Sequence, residues 1–181
     1  MMLDFESTLF LIGPTGAGKT TVGRLLASKL RRTFYDLDAV IEQRCGANIP
    51  WIFDVEGEAG FRDRESKAFF DLYGLKRSVI STGAGIVLRE ENQLLLKERL
   101  PDVVFLDVDL HTQFDRIKYD QNRPMMQVAD PEERLRKMAE KRDPLYRSCA
   151  GITVQTGRTS PSVIVRRILQ QLEKIHAKTD S

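Results

Sequence analysis

The sequence is poor in the residues that build disulfide frameworks and zinc sites. It contains 2 cysteines and 2 histidines among 181 residues. Cys45 and Cys149 lie far apart, with no CxxC pair and no histidine cluster. A disulfide scaffold needs several spaced cysteines, and a structural zinc site needs clustered Cys and His ligands. We therefore expect two reduced thiols that are incidental to the structure.

The chain also lacks a strong excess of either charge and lacks an apolar run long enough to span a membrane. Its 28 basic residues face 26 acidic ones, for a net charge of +2. Nucleic-acid-binding domains concentrate their basic residues, whereas these are dispersed. No basic segment precedes a long apolar one at the N-terminus. We predict one compact cytoplasmic domain, a monomer that binds neither nucleic acid nor membrane.

What the sequence does have is a phosphate-binding loop. Residues 13–20 read GPTGAGKT, between an apolar run at 8–12 and an amphipathic stretch at 21–30. In this order of strand, loop and helix, backbone N–H groups at a helix N-terminus surround phosphate oxygens. Lys19 would neutralise phosphate charge, and the Thr20 hydroxyl would face Mg²⁺. The alternative, a glycine-rich turn that binds nothing, does not explain why all three segments occur in sequence.

Short β-rich runs alternate with helical patterns along the rest of the chain. Five candidate strands lie at residues 8–12, 33–36, 78–81, 103–107 and 152–155. This alternation predicts an α/β fold with a parallel sheet covered by helices on both sides. Ligands of such sheets bind beyond the carboxyl ends of the strands, so polar residues that follow each strand are candidates for chemistry.

Two carboxylates follow the second strand. In an extended chain, Asp36 and Asp38 would project the same way, because side-chain direction has a period of two. One could support the water shell of the metal, while the other accepts a proton from an attacking hydroxyl. The alternative is that one of the two carboxylates, Asp38 in particular, caps a helix that begins near Ala39. The two roles do not exclude each other.

A highly charged segment, EGEAGFRDRES, covers residues 56–66. On a helix, Arg62 and Glu65 are neighbours on the same stripe as Phe61, so Glu65 could fix the Arg62 guanidinium in a cleft. A planar fork of donors suits a carboxylate substrate. The alternative is a solvated helix face with incidental ion pairs.

A loop interrupts the helical pattern that begins near His111, and a new helical pattern begins at Asp130. In this loop Arg123 precedes a proline, and we interpret the segment as a lid that closes over the transferring phosphoryl group. Met126, by contrast, is expected to be a packing residue.

Six segments together resemble shikimate kinase: GPTGAGKTTVGRLLA, FYDLD, IFDVEGEAGFRDRE, STGAG, NRP and KRDPLY, in order between Leu9 and about Ile175. The resemblance implies the nucleoside-monophosphate-kinase-like fold. That fold is a three-layer α/β sandwich whose five-stranded parallel sheet has the order 2-3-1-4-5. It also implies a single domain over residues 1–181, with a substrate-binding region at about 36–65 and a lid at about 119–130.

The activity implied by the resemblance is ATP-dependent phosphorylation of the 3-hydroxyl of shikimate, in the biosynthesis of aromatic amino acids. Asp38, Lys19 and Arg123 would be catalytic, while Thr20 and Asp36 would hold one Mg²⁺ ion. The residues assigned to ATP are Gly13, Gly16, Ala17, Gly18, Lys19, Thr20, Thr21, Arg116, Arg123 and Arg158. The residues assigned to shikimate are Asp38, Arg62, Gly83, Ala84, Gly85 and Arg142.

One position departs from the family pattern, and two rival functions remain. The family usually has three successive glycines where this chain reads Gly83-Ala84-Gly85. Alanine would be strained at positive φ but tolerated at an ordinary φ. The rivals are another small-molecule kinase of the same architecture, such as a gluconate kinase, and a regulatory module that binds ATP as a switch. Neither rival needs two arginines that converge on a carboxylate beside Asp38.

Overall fold

The computed structural model describes residues 6–120 and 126–179. Its centre is a parallel five-stranded sheet in the order β2-β3-β1-β4-β5. The strands are β1 (Leu9–Ile12), β2 (Thr33–Asp36), β3 (Ser78–Ser81), β4 (Val103–Asp107) and β5 (Ile152–Gln155). The helices are α1 (Lys19–Leu30), α2 (Leu37–Cys45), α3 (Ile49–Tyr73), α4 (Glu90–Glu98), α5 (Leu110–Ile117), α6 (Pro131–Ser148) and α7 (Pro161–Thr179). The predicted fold class and strand order are confirmed.

The three central strands are buried at every residue. Parallel strands covered on both faces read as continuous apolar runs, which is why LFLI and VVFLD show no alternation. The edge strand β5 does alternate between buried and exposed residues. Four of the five predicted strands have the observed bounds, and the first begins at Leu9, one residue later than expected.

Each face of the sheet has its own apolar core. Because successive residues of a strand point to opposite faces, Phe10 and Ile12 lie in one core and Leu9 and Leu11 in the other. The first core includes buried residues of α2, α3, α4 and α6, and the second those of α1 and α7. These two cores and the sheet between them form the three predicted layers.

Helix α3 is broken at Gly57, which the sequence pattern did not predict. Gly57 has φ 70° and ψ −178°, a conformation that favours glycine. Across the break, Arg64 donates two hydrogen bonds to the Glu56 carboxylate, of 2.7 and 2.6 Å. The segment before the break carries Phe53, whose ring centroid lies 4.7 Å from that of Phe61 in the segment after it.

The helices on either side of the predicted lid begin where the sequence indicated. The Asp109 carboxylate caps α5 by accepting from Thr112 N, and the Asp130 carboxylate caps α6 by accepting from Glu133 N. The lid residue Arg123 lies outside the described residues. Among the residues that are described, no helix is both long enough and apolar enough to cross a membrane.

Candidate active site

The phosphate-binding loop joins β1 to α1 at the carboxyl end of the sheet. Gly13 has φ 144°, and a Cβ there would lie 2.5 Å from the carbonyl oxygen of Leu106. Gly18 precedes α1 at φ 91° without a side-chain cap, so the first N–H groups of the helix remain for a ligand. Lys19 Nζ donates to the carbonyl oxygens of Gly13 and Pro14, at 2.7 and 3.0 Å.

A cavity of about 510 Å³ opens beside this loop. Most of the residues predicted to bind ATP line it: Gly16, Ala17, Gly18, Lys19, Thr20, Thr21 and Arg116. Pro161, at the start of α7, forms part of its far wall. Arg158 is exposed and does not line the cavity. We refer to this space as the donor cavity.

Helix α5 holds the phosphate-binding loop from outside. Gln113 Nε2 donates to the carbonyl oxygen of Thr15 at 2.9 Å, and Arg116 Nη1 donates to that of Gly16 at 2.8 Å. Arg116 also donates to the carbonyl oxygen of Gly157, beyond β5. The Arg116 guanidinium therefore links the loop to the segment that follows β5.

Thr20 and Asp36 form a pair of oxygen donors at the rim of the donor cavity. Thr20 Oγ1 donates to Asp36 Oδ2 at 2.8 Å. A hydroxyl and a carboxylate beside a phosphate site are ligands that suit Mg²⁺, which also takes water and phosphate oxygens. The predicted metal residues are thus adjacent and chemically suited to this ion.

One of the two carboxylates does cap the helix after β2, but it is Asp36 and not Asp38. Helix α2 begins at Leu37, and Asp36 is its cap, accepting from Ala39 N at 3.3 Å. Asp38 lies inside the first turn of α2, so the two carboxylates are not two alternating positions of an extended strand. Both still line the donor cavity, because the first turn of a helix redirects Asp38 toward it.

Asp38 has an electrostatic environment suited to accepting a proton. Burial raises its pKa to about 7, and the neighbouring carboxylates of Glu65 and Asp36 contribute to the shift against Lys19 and Arg62. Its Oδ1 is buried and finds no hydrogen-bond partner within residues 6–120 and 126–179. A carboxyl that titrates near neutrality can serve as a general base there.

The predicted ion pair between Arg62 and Glu65 is confirmed. Arg62 Nη1 donates to Glu65 Oε2 at 2.6 Å, and both side chains are buried. Burial raises the pKa of Glu65, whereas the positive charges of Arg62 and Arg142 lower it. A solvated helix face is therefore the wrong description of these two residues.

A second cavity, of about 140 Å³, lies on the other side of Asp38, and we call it the acceptor cavity. Arg62 and Arg142 line it, and both are at least nine-tenths buried. The other lining residues are Thr15, Asp38, Glu65, Gly83, Ala84 and Gly85, together with the apolar side chains of Ile49, Phe53, Phe61, Met126 and Met138. Such a site can take a small carboxylate that carries hydroxyl groups on an apolar ring.

Glycine is sterically required at both flanks of the segment after β3 but not at its centre. A Cβ at Gly83 would lie 2.3 Å from Glu65 Oε1. Among the described non-glycine residues, only Arg31 and Arg77 have positive φ, so Ala84 is in an ordinary conformation. Its carbonyl oxygen accepts a hydrogen bond from the Tyr146 hydroxyl. Alanine in place of the family's middle glycine is therefore unstrained.

The two cavities meet at three residues, since Thr15, Asp38 and Ala84 line both of them. Residues 15–173 match the shikimate kinase family. The chain belongs to this family. It is 48% identical over 173 residues to the shikimate kinase of Chromohalobacter salexigens, covering 96% of each chain. It is 49% identical over 170 residues to that of Burkholderia lata, covering 94% of this chain and 92% of the relative.

Solved structures agree with this membership. A shikimate kinase from Acinetobacter baumannii in complex with shikimate superposes with a TM-score of 0.90 at 43% identity, covering 93% of each chain. A gluconokinase from Sinorhizobium meliloti superposes with a TM-score of 0.62 at 17% identity, covering 97% of this chain and 96% of that one. The gluconokinase shares the fold alone.

Several residues that line or support the two cavities were not predicted from the sequence. Thr15 occupies a variable position of the phosphate-loop pattern, and Gln113 lies on a separate helix, so neither has a local signal. Phe53 lies within the quoted IFDVEGEAG segment, and its aromatic character beside Phe61 was the available indication. Met126, interpreted as a packing residue, lines the acceptor cavity.

Proposed function

We propose that the chain transfers the γ-phosphoryl group of ATP to the 3-hydroxyl of shikimate, giving ADP and shikimate 3-phosphate. One observation carries this proposal: an acceptor cavity with two buried arginines opens onto the phosphate-binding loop at Asp38. Membership of the shikimate kinase family supports the same activity.

Arg62 and Arg142 bind the carboxylate of the acid. Each guanidinium presents a planar fork of N–H donors that matches a carboxylate, and burial of both strengthens the interaction. The Glu65 carboxylate orients Arg62 through their 2.6 Å hydrogen bond. The ring of the substrate rests against Phe53 and Phe61, and this contact turns its hydroxyls toward Asp38.

Lys19 and the N–H groups at the start of α1 stabilise the negative charge of the transferring phosphoryl group. To do so, Lys19 exchanges its hydrogen bonds to the Gly13 and Pro14 carbonyls for phosphate oxygens. Thr20 and Asp36 would hold Mg²⁺, which when bound would neutralise negative charge on the phosphates. Arg123, in the lid at about residues 119–130, adds a further positive charge.

Asp38 accepts the proton of the attacking hydroxyl. The 3-oxygen forms a bond to the γ-phosphorus while the bond from phosphorus to the β–γ bridging oxygen breaks, leaving ADP. The proton passes to the Asp38 carboxylate, whose pKa of about 7 makes it both available as a base and able to release the proton afterwards.

The arrangement supports two regions with separate tasks. Residues at about 36–65 form the substrate-binding region, and the lid excludes water once both substrates are bound. Arg158 remains a prediction for the nucleotide, as does a monomeric, cytoplasmic enzyme that binds neither nucleic acid nor membrane.

A coupled assay of ADP release with shikimate, gluconate and nucleoside monophosphates tests the substrate. We expect ADP release with shikimate, and ³¹P–¹H correlation in the product should place the phosphate at the 3-position. Arg62→Ala should abolish shikimate binding in isothermal titration and leave ATP binding in place. Turnover of another acceptor without turnover of shikimate would show that the substrate is wrong. ATP binding without shikimate binding would instead favour the regulatory module.

A further inference from the structure

We infer that the hydroxyl of Thr15 binds the phosphoryl group while it passes from the donor cavity to the acceptor cavity. The inference rests on the proposed phosphoryl transfer and adds to it a residue of the phosphate-binding loop whose side chain has no role in the mechanism described above.

Thr15 lies where the two cavities meet. Among the residues that the structure describes, two others line both cavities: Asp38, which faces the attacking hydroxyl, and Ala84. The transferred phosphorus must pass between the nucleotide and the acceptor hydroxyl, which is the space that these three residues border. Ala84 has no polar side chain, so Thr15 is the remaining side-chain donor at this junction.

The Thr15 hydroxyl is unpaired within residues 6–120 and 126–179. The residue is 9% exposed, and its Oγ1 is buried without a hydrogen-bond partner in the part of the chain that the structure describes. Buried hydroxyls are nearly always hydrogen-bonded, since an unpaired one destabilises the folded state. An oxygen of the transferring group supplies the partner that the described residues do not.

Contacts with α5 fix the backbone around Thr15, so only its side chain needs to move when the phosphoryl group binds. Gln113 Nε2 donates to the Thr15 carbonyl oxygen at 2.9 Å. The next residue packs against α5, where a Cβ on Gly16 would lie 2.9 Å from Ile117 Cγ2. Threonine has a few staggered χ1 rotamers, so a change of χ1 is the adjustment by which the hydroxyl would reach the junction.

At the junction of the two cavities, a neutral hydroxyl can donate to the transferring phosphoryl group without adding charge. Negative charge in phosphoryl transfer is spread over three equatorial oxygens, and fixed donors aimed at them lower the barrier. Lys19 and the helix N–H groups approach from the side of the nucleotide. Thr15 supplies a donor on the side of the acceptor without adding a positive charge that would stabilise the ionised form of Asp38 and weaken it as a base.

Thr15→Val tests the inference, because it removes the hydroxyl and keeps the shape. We expect kcat at saturating Mg·ATP and shikimate to fall about 10- to 100-fold, as for loss of a hydrogen bond to a charged group. The melting temperature of the free protein should stay the same or rise by about 2–4 °C, because an unpaired hydroxyl is removed. Thr15→Ser, which keeps the hydroxyl, should retain most of the rate.

Thr8→Val is the matched control. Thr8 is also buried, but its hydroxyl donates to the Leu75 carbonyl oxygen at the opposite end of β1. Its replacement should lower the melting temperature and leave kcat unchanged. The two variants therefore distinguish a hydroxyl that binds the ligand, whose loss lowers kcat, from one that stabilises the fold, whose loss lowers the melting temperature.

Two results would overturn the inference: an unchanged kcat in Thr15→Val, or a fall in its melting temperature, as expected if the hydroxyl bound a structural water. If the unmodified chain releases ADP with another acceptor instead of shikimate, the proposed substrate is wrong. The Thr15 comparison is then made with that acceptor, so the two failures remain distinct.

Discussion

The guanidinium of Arg62 occupies the space where a side chain at Gly85 would begin. A Cβ on Gly85 would lie 2.2 Å from Arg62 Nη1 and 2.3 Å from its Cζ. Arg62 is in turn fixed by Glu65, so it has little room to yield. The glycine after β3 therefore determines where the carboxylate-binding arginine can lie.

Gly85→Ala should displace Arg62 and weaken shikimate binding. We expect the KM for shikimate to rise about 10-fold or more, as for loss of a charge-assisted hydrogen bond, with the KM for ATP nearly unchanged. Ala84→Gly is the control in the same segment and should keep both constants, because Ala84 is unstrained. An equal effect of both variants on the KM for ATP would indicate a general disturbance of the loop instead.

Arg142→Met should raise the KM for shikimate at least as strongly. Methionine preserves much of the buried volume and removes the charge, so the apolar contacts of the stem are kept. Arg136→Met, on an exposed face of the same helix, should change neither KM, because its ion pairs with Glu133 and Glu140 lie at the surface. Steady-state kinetics with each substrate varied in turn measure the difference. An unchanged KM for shikimate in Arg142→Met would contradict the assigned role.

The sequence was sufficient to locate the strands but not every side chain of the site. The strands β1 and β4 were visible because both faces of the sheet are covered, so LFLI and the first four residues of VVFLD are unbroken apolar runs. The strand order came only from the resemblance, since periodicity does not say which strands are neighbours. Asp38 was placed wrongly because the chain changes from strand to helix between Asp36 and Leu37, where a period of two no longer applies.

Burial explains why Arg142 could not be chosen from composition. Helix α6 carries several arginines and lysines at similar density, and only the structure shows that Arg142 is 6% exposed while Arg136 lies at the surface. Thr15 was missed for a related reason. Its position is variable in the loop pattern, and its meaning depends on two cavities formed by distant segments.

Thr20→Val should weaken the binding of Mg²⁺. The substitution removes the hydroxyl that pairs with Asp36 at 2.8 Å. We expect the Mg²⁺ concentration for half-maximal rate to rise about 10-fold or more at saturating ATP and shikimate. Asp36→Asn should act in the same direction while keeping the cap of α2, because asparagine caps helices as well as aspartate does. An unchanged Mg²⁺ requirement in both variants would argue against this site for the ion.

Asp38→Asn should lower kcat by about 10²- to 10⁴-fold, the usual contribution of a general base. In the unmodified chain, kcat/KM should rise with pH and level off above pH 7, because the Asp38 pKa of about 7 means that the carboxylate forms in this range. The variant should lose this rise. A rate profile from pH 5.5 to 9 measures it, and the same rise in the variant would assign the titration to another group.

Asp38→Asn should lower the rate but raise the stability of the folded chain above neutral pH. The pKa of Asp38 is raised from 3.8 to about 7 in the folded chain, mainly by burial. The folded state then binds more protons than the unfolded state between these values. The stability contributed by the neutral carboxyl is therefore complete below pH 3.8 and is lost as pH rises through 7.

Asparagine stays neutral at every pH, so Asp38→Asn should have a higher melting temperature than the unmodified chain at pH 8. The difference in melting temperature should shrink toward pH 5. Thermal unfolding at both pH values measures this, and a variant that melts lower at pH 8 would show that the Asp38 carboxylate stabilises the fold.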